Sequence, residues 1–158
     1  MLLFEQDYRW TPQDAQHDVP FAFTCPEGTT EIRLYFTYSP GKEAADEICR
    51  PAVEKALTRY YDCYPRELQP MPVDKFLPVK NLVTISLDKD GQYVGNAHRW
   101  DTDQTHILTT GRASRGFTPP ARLEGPWGGM LHLHEIISPV CTGTLRIEGR
   151  LSDEVVSG

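Results

Sequence analysis

The residues best suited to chemistry lie together in Leu131-His132-Leu133-His134-Glu135. In an extended chain successive side chains alternate, so His132 and His134 are expected on one side, with Met130 and Ile136. Two imidazoles at that spacing can grip one metal ion. A hydrolase built on such an ion needs further ligands and an open position for water. His98, Arg99, Trp100, Asp101, Asp103 and His106 form a second cluster. His98, with Asp101 or His106, is the complement that a divalent-metal site would draw on. The structural alternative is partly exposed strand histidines and a charged hairpin end beside a packing tryptophan.

Other side chains suit ligand binding rather than catalysis. Trp100 and Trp127 offer ring faces for stacking a sugar, Trp100 as the surface candidate and Trp127 as a core residue at a strand start. Arg112, Arg115 and Arg122 share one loop, and guanidinium forks match phosphate and carboxylate. Glu124 stands near enough in sequence to pair with them instead. The candidate ligand-binding set is therefore His98, Trp100, Arg112, Arg115, His132 and His134. No serine sits in a Gly-x-Ser-x-Gly elbow, and no phosphate-cradling glycine loop is present. Hence no catalytic residue is assigned and no cofactor is required.

The elements that position these residues are mostly strands. Thirteen prolines and twelve glycines divide the chain at short intervals, the texture of short strands joined by turns. Phe4 to Trp10 reads as an edge strand. Val19, Phe21, Phe23 and Cys25 alternate with polar or small residues, and so do Ile32, Leu34, Phe36 and Tyr38 beyond Pro26-Glu27-Gly28. Period two predicts two half-buried strands, taken as antiparallel neighbours. Between about residues 41 and 78 the pattern changes. Pro51 is expected at a helix start, and Val53, Ala56, Leu57, Tyr60 and Tyr61 then form one apolar stripe on a short helix to about Asp62, with a shorter helical turn before it over 43–48. Pro65, Pro70, Pro72 and Pro78 force an irregular return.

Strands resume at Leu82–Leu87, turn at Asp88-Lys89-Asp90-Gly91, and return over Gln92–Trp100. Further strands are expected at Thr105–Thr110, Met130–Ser138 and Thr144–Gly149, with a Gly/Pro/Arg loop over Gly111–Gly129 and a polar tail over 152–158. Eight or nine strands with one helix in a long crossover predict a single mainly-β domain spanning 1–158. The expected fold is an antiparallel β-sandwich with jelly-roll or Greek-key character.

Composition narrows the partners. The formal net charge is −6, and Lys and Arg form no patch, which argues against nucleic acid or an anionic membrane as partner. No apolar run approaches the ~18 residues of a membrane span, and the first residues carry no basic leader. A cytoplasmic setting is expected, with Cys25, Cys49, Cys63 and Cys141 as reduced and mostly buried thiols. Their spacing supports no structural zinc site.

The second half resembles a known domain. Asn81–Leu87, Asp88-Lys89-Asp90-Gly91, Gly95-Asn96-Ala97-His98-Arg99, the loop from Ala113 to Pro120, and Gly125-Pro126-Trp127 are similar to a bacterial β-sandwich. That domain stands N-terminal to PHP-type, metal-dependent phosphoesterase barrels. The resemblance covers about 19–148 and rests on turn chemistry. It departs where Pro119-Pro120 is followed by Ala121. It implies an accessory, non-catalytic domain that binds a ligand or supports a separate enzyme or an oligomer. His132-Leu133-His134 also resembles the first metal-binding pair of the barrel itself. The Ile136-Ile137-Ser138-Pro139 continuation differs from the barrel's, and the residues that follow are far fewer than the ~200 a barrel needs.

Three readings follow. The first is a non-catalytic binding or interaction domain, taking a small molecule, a carbohydrate or a partner enzyme. The second is a small metal-binding protein or hydrolase using His132 and His134. The third is an oligomerisation module pairing through an exposed edge.

Overall fold

The computed structural model describes residues 1–64 and 72–152. The prolines expected to shape the return at 65 and 70, and the tail beyond Ser152, lie outside the described residues. The chain folds as an antiparallel β-sandwich of two four-stranded sheets. Its strands are β1 (Leu2–Trp10), β2 (His17–Cys25), β3 (Thr29–Ser39), β4 (Lys42–Glu43), β5 (Val79–Lys80), β6 (Leu82–Lys89), β7 (Gln92–Ala97), β8 (Asp103–Leu108), β9 (Gly125–Glu135) and β10 (Cys141–Leu151). The first sheet has the order β1-β10-β3-β8 and the second β2-β9-β6-β7, while β4 and β5 pair apart from both.

The period-two pattern decides what is buried. Phe21, Phe23 and Cys25 on β2 face inward, as do Ile32, Leu34, Phe36 and Tyr38 on β3. Opposite them lie Leu131, Leu133 and Trp127 of β9 and Leu145 and Ile147 of β10. These rows form one core between the sheets, and burying each large side chain contributes roughly 1.5–3 kcal/mol. Pro20 lies on β2, an edge strand where a missing N–H breaks no ladder on the outer side.

Several boundaries differ from expectation. β2 and β3 are not hairpin partners: β2 pairs with β9 and β3 with β10 and β8. The turn at Pro26-Glu27-Gly28 carries the chain from one sheet to the other, so both strands present an apolar face to the same core without sharing a ladder. The helix α1 runs Asp46–Cys63 and holds Pro51 inside it. The helical turn and the helix expected separately are one element, with Pro51 as its sixth residue, where the missing N–H forgoes one intrahelical bond without ending the helix. β7 ends at Ala97, short of Trp100, and β9 begins at Gly125, so five residues assigned to the loop (125–129) are strand. The strand continues through these glycines because Trp127 and Gly129 keep the inward phase of Leu131 and Leu133. β9 ends at Glu135, and Ile136 turns into the interior instead of joining the histidine side. The β6–β7 turn is only Asp90-Gly91, at φ 53° and 78°, a two-residue hairpin of the kind glycine and aspartate favour.

Candidate functional site

The outer face of β2-β9-β6-β7 carries the histidines. Register places Asp18 of β2 directly across from His132 of β9, and Thr84 of β6 on its other side. Ser86 faces Met130 on β9 and Asn96 on β7. Both rings lean one diagonal step along β6, a reach open to long side chains on a pleated face. The Nε2 atom of His132 is 2.9 Å from Oγ of Ser86, and Nε2 of His134 is 2.8 Å from Oγ1 of Thr84. On its other side, Nδ1 of His132 lies 2.8 Å from Oδ1 of Asp18. An ionised carboxylate only accepts, so Nδ1–H donates to Asp18, and in the neutral ring Nε2 then accepts from the Ser86 hydroxyl.

His134 has a neighbour of its own. The ring of His98, just past the end of β7, is 5.0 Å from it between centroids. Burial lowers the proton affinity of His134 below the ordinary histidine value; His98 and His132 lower it further, and Asp18 opposes them.

These bonds bear on a metal site. His132 spends both ring nitrogens on Asp18 and Ser86, and His134 spends Nε2 on Thr84. Among the described residues no group of three or more His, Cys, Asp or Glu side chains is arranged to hold a metal ion. His106, considered as a third ligand, belongs to β8 of the other sheet and is buried. Its Nε2 lies 2.9 Å from Oε1 of Gln104, and its ring meets Phe117 edge-on at 5.0 Å.

Two concavities flank the histidine face. One is a hollow of about 340 Å³ lined by Asn96, Ala97, His98, Arg99, Arg115 and Gly116. The guanidinium of Arg99 donates to the Arg115 carbonyl at 2.7 Å. The loop is held against β7 because Asn96 N–H donates to the Gly116 carbonyl at 3.1 Å and Thr118 N–H to that of Val94 at 2.8 Å. The other is a cleft of about 550 Å³ whose walls include Val53, Leu57 and Tyr60 of α1, Phe76 and Trp100, with Lys80 and Glu135 as its charged groups. Trp100 is 55% exposed, and Lys80 Nζ lies 5.2 Å from its ring centroid. Burial raises the pKa of Glu135.

The six candidate residues therefore separate. His132 and His134 share the outer sheet face, with His98 against them; His98 and Arg115 line the hollow; Trp100 belongs to the cleft. Arg112 lines neither. It is exposed at the end of β8, where its carbonyl accepts from Thr109 N–H at 2.7 Å. Arg122 pairs with Glu124 at 3.5 Å. Trp127 is core, its indole donating to the Leu123 carbonyl at 2.8 Å. Of the thiols, Cys25, Cys49 and Cys141 are buried, Cys63 is exposed, and none forms a disulfide. Sequence reasoning did not single out Asp18, Ser86 or Asn96. The available signal was alternation: Thr84 and Ser86 are the hydroxyl positions of the otherwise apolar run Leu82–Leu87.

The fold and its surface define a two-sheet β-sandwich with a histidine-bearing outer face between a basic hollow and an apolar cleft. No protein-family model matches this chain, and no curated protein does. Among the described residues no helix is long and apolar enough to cross a membrane.

Proposed function

We propose that this domain binds a small molecule with a flat, largely apolar body in the cleft between α1 and the sandwich. The observation that carries the reading is the exposed ring of Trp100 over a concavity of about 550 Å³. Ligand sites of this size are mostly apolar, with few polar groups fixing orientation. Here Lys80 and Glu135 are those groups, and Lys80 supplies the positive charge for an anionic substituent. The apolar walls favour an aromatic or acyl body over a saccharide. The strand order β1-β10-β3-β8 against β2-β9-β6-β7, in which only β6 and β7 follow each other within one sheet, supports the jelly-roll form, which hosts binding domains of many kinds. The resemblance to accessory sandwiches of PHP-type phosphoesterases supports the same role and names a separate enzyme of that class as partner. The free cysteines support a cytoplasmic setting.

The test is a fluorescence titration with 8-anilinonaphthalene-1-sulfonate, a flat aromatic anion. Saturable one-to-one binding that is lost in Trp100→Ala, with unchanged thermal unfolding, is expected. Absence of saturable binding to the folded protein overturns the reading. Displacement of the dye by cellobiose reassigns the cleft to carbohydrate.

A further inference from the structure

On the sheet face, away from the cleft, three side chains from three strands are wired in one direction. Ser86 donates its hydroxyl to Nε2 of His132 at 2.9 Å, and Nδ1 of His132 meets Oδ1 of Asp18 at 2.8 Å. This is the order of a nucleophile, a base and the carboxylate that orients it, an arrangement recognised by geometry and roles rather than by sequence position. We propose that Ser86, His132 and Asp18 form an acyl-transfer site acting on carboxylic esters that carry an acidic group. This goes beyond ligand binding in the cleft and departs from the non-catalytic role that the family resemblance implies.

The surroundings supply the remaining parts. Asn96 stands directly across the ladder from Ser86. Its amide donates to the Tyr93 hydroxyl and retains a second N–H for a developing oxyanion. Asn96 also lines the hollow that holds Arg99 and Arg115. An acidic substituent there meets two guanidinium groups while the ester carbonyl lies toward Ser86. Ser86 is half-buried, and the His132 side chain is 28% exposed, so the pair is within reach of a substrate from solvent. The fixed ladder on both sides of β6 holds Ser86 and His132 in register without any loop having to close.

The reaction balances with water as the only co-reactant. The Ser86 oxygen bonds to the ester carbonyl carbon as its proton passes to Nε2 of His132. The carbon–alkoxy bond then breaks, and the departing oxygen takes that proton and leaves as an alcohol. Water attacks the acyl-serine, gives a proton to Nε2, and the acyl group leaves as an acid while Ser86 recovers its hydrogen. Ser86 and His132 are the catalytic residues, and Asp18 is a positioning residue.

The test is labelling of the full chain with a fluorophosphonate, followed by intact mass and peptide mapping. One adduct on Ser86 is expected in the wild type and none in Ser86→Ala. Labelling is expected to slow at least about a hundredfold in His132→Gln, as loss of a positioned base does. Asp18→Asn should slow it with unchanged thermal unfolding, and Asp18→Glu should partly restore it, a rescue that a purely structural contact does not predict. No adduct on Ser86 in the folded wild type, or an adduct formed equally fast in His132→Gln, overturns the site. Turnover of the 4-nitrophenyl monoester of succinate is expected to exceed that of 4-nitrophenyl acetate, and Arg115→Ala to remove the difference. Equal turnover overturns the acidic substrate class. None of these readouts depends on dye binding at Trp100, so either proposal can fail alone.

Discussion

His98 and His134 meet edge to face with their ring centroids 5.0 Å apart, one at the end of β7 and the other on β9. A charge on His98 therefore bears on His134. Burial is the first cause of the lowered proton affinity of His134, and the charge of His98 is the second. Replacing His98 by Ala should raise the His134 midpoint in a proton NMR titration without returning it to the ordinary value, because the burial remains. An unmoved midpoint would mean that the two rings are not coupled in solution.

His106 contributes a pH dependence to the fold. Burial, and secondarily the charge of Arg99, lowers its pKa from 6.5 to about 4. Its Nδ1 has no hydrogen-bond partner, so a proton placed there would be charged and unpaired in the core. The unfolded chain takes up that proton near the ordinary value, while the folded chain resists it. The contribution is thus present in full above about pH 6.5 and is lost as the pH falls toward 4, with a size on the order of 3 kcal/mol. Urea unfolding at pH 7 and pH 4.5 checks this. The His106→Gln variant, whose amide still donates toward Gln104, should lose less stability between the two pH values than the wild type.

The clasp between β7 and the arginine loop rests on two glycines. Gly95 has φ +152° and Gly116 φ +98°. A Cβ on Gly95 would fall on the Gly116 carbonyl oxygen, and a Cβ on Gly116 would fall on that of Asn96. Both obstacles are backbone, so neither can move aside cheaply. Gly116→Ala should cost about 3 kcal/mol or more in chemical unfolding. Faster hydrogen exchange at the Asn96 and Thr118 amides, whose bonds close the clasp, should accompany it.

What the sequence made legible is what alternation controls. Phe21, Phe23, Ile32, Leu34 and Phe36 announce their strands and their buried side, since each pattern is local. Which strands pair is not local. The Val19–Cys25 and Ile32–Tyr38 segments look like a hairpin because each has one apolar face and a glycine turn lies between. A turn that crosses from sheet to sheet satisfies the same pattern, and only the competition with β9 and β10 decides. The site follows the same division. His132 and His134 were visible as a pair with a shared direction. Asp18 reaches His132 from 114 residues away, and Ser86 from 46. Those meetings are products of register, which no single segment encodes. Pro51 misled for a related reason: a proline marks where a backbone bond is absent, which need not be where a helix begins.

Asn81 is the polar joint between the crossover and the sandwich. It is fully buried, and its side chain makes several bonds. Nδ2 donates to the Pro40 carbonyl at 2.9 Å and to Ser138 Oγ at 2.8 Å, while Oδ1 accepts from Ile137 N–H at 2.8 Å. Its backbone N–H donates to the Gly41 carbonyl at 2.9 Å. Asn81→Leu fills the volume but leaves the Ile137 N–H and the Pro40 carbonyl unpaired. Each part-buried orphan costs up to about 1–3 kcal/mol, so a loss of roughly 2–6 kcal/mol in urea unfolding is the upper range expected. Asn81→Asp separates donor from acceptor. At neutral pH the carboxylate still accepts from Ile137 but faces the Pro40 carbonyl without a proton, so it should be destabilised as well. Protonation restores a donor, which raises the folded-state pKa of the new carboxyl above its unfolded value. The Asp variant should therefore gain stability relative to wild type as the pH falls through that raised pKa, whereas the Leu variant should not. If the two variants run parallel in pH, the side-chain donation to Pro40 is not what holds the crossover in place.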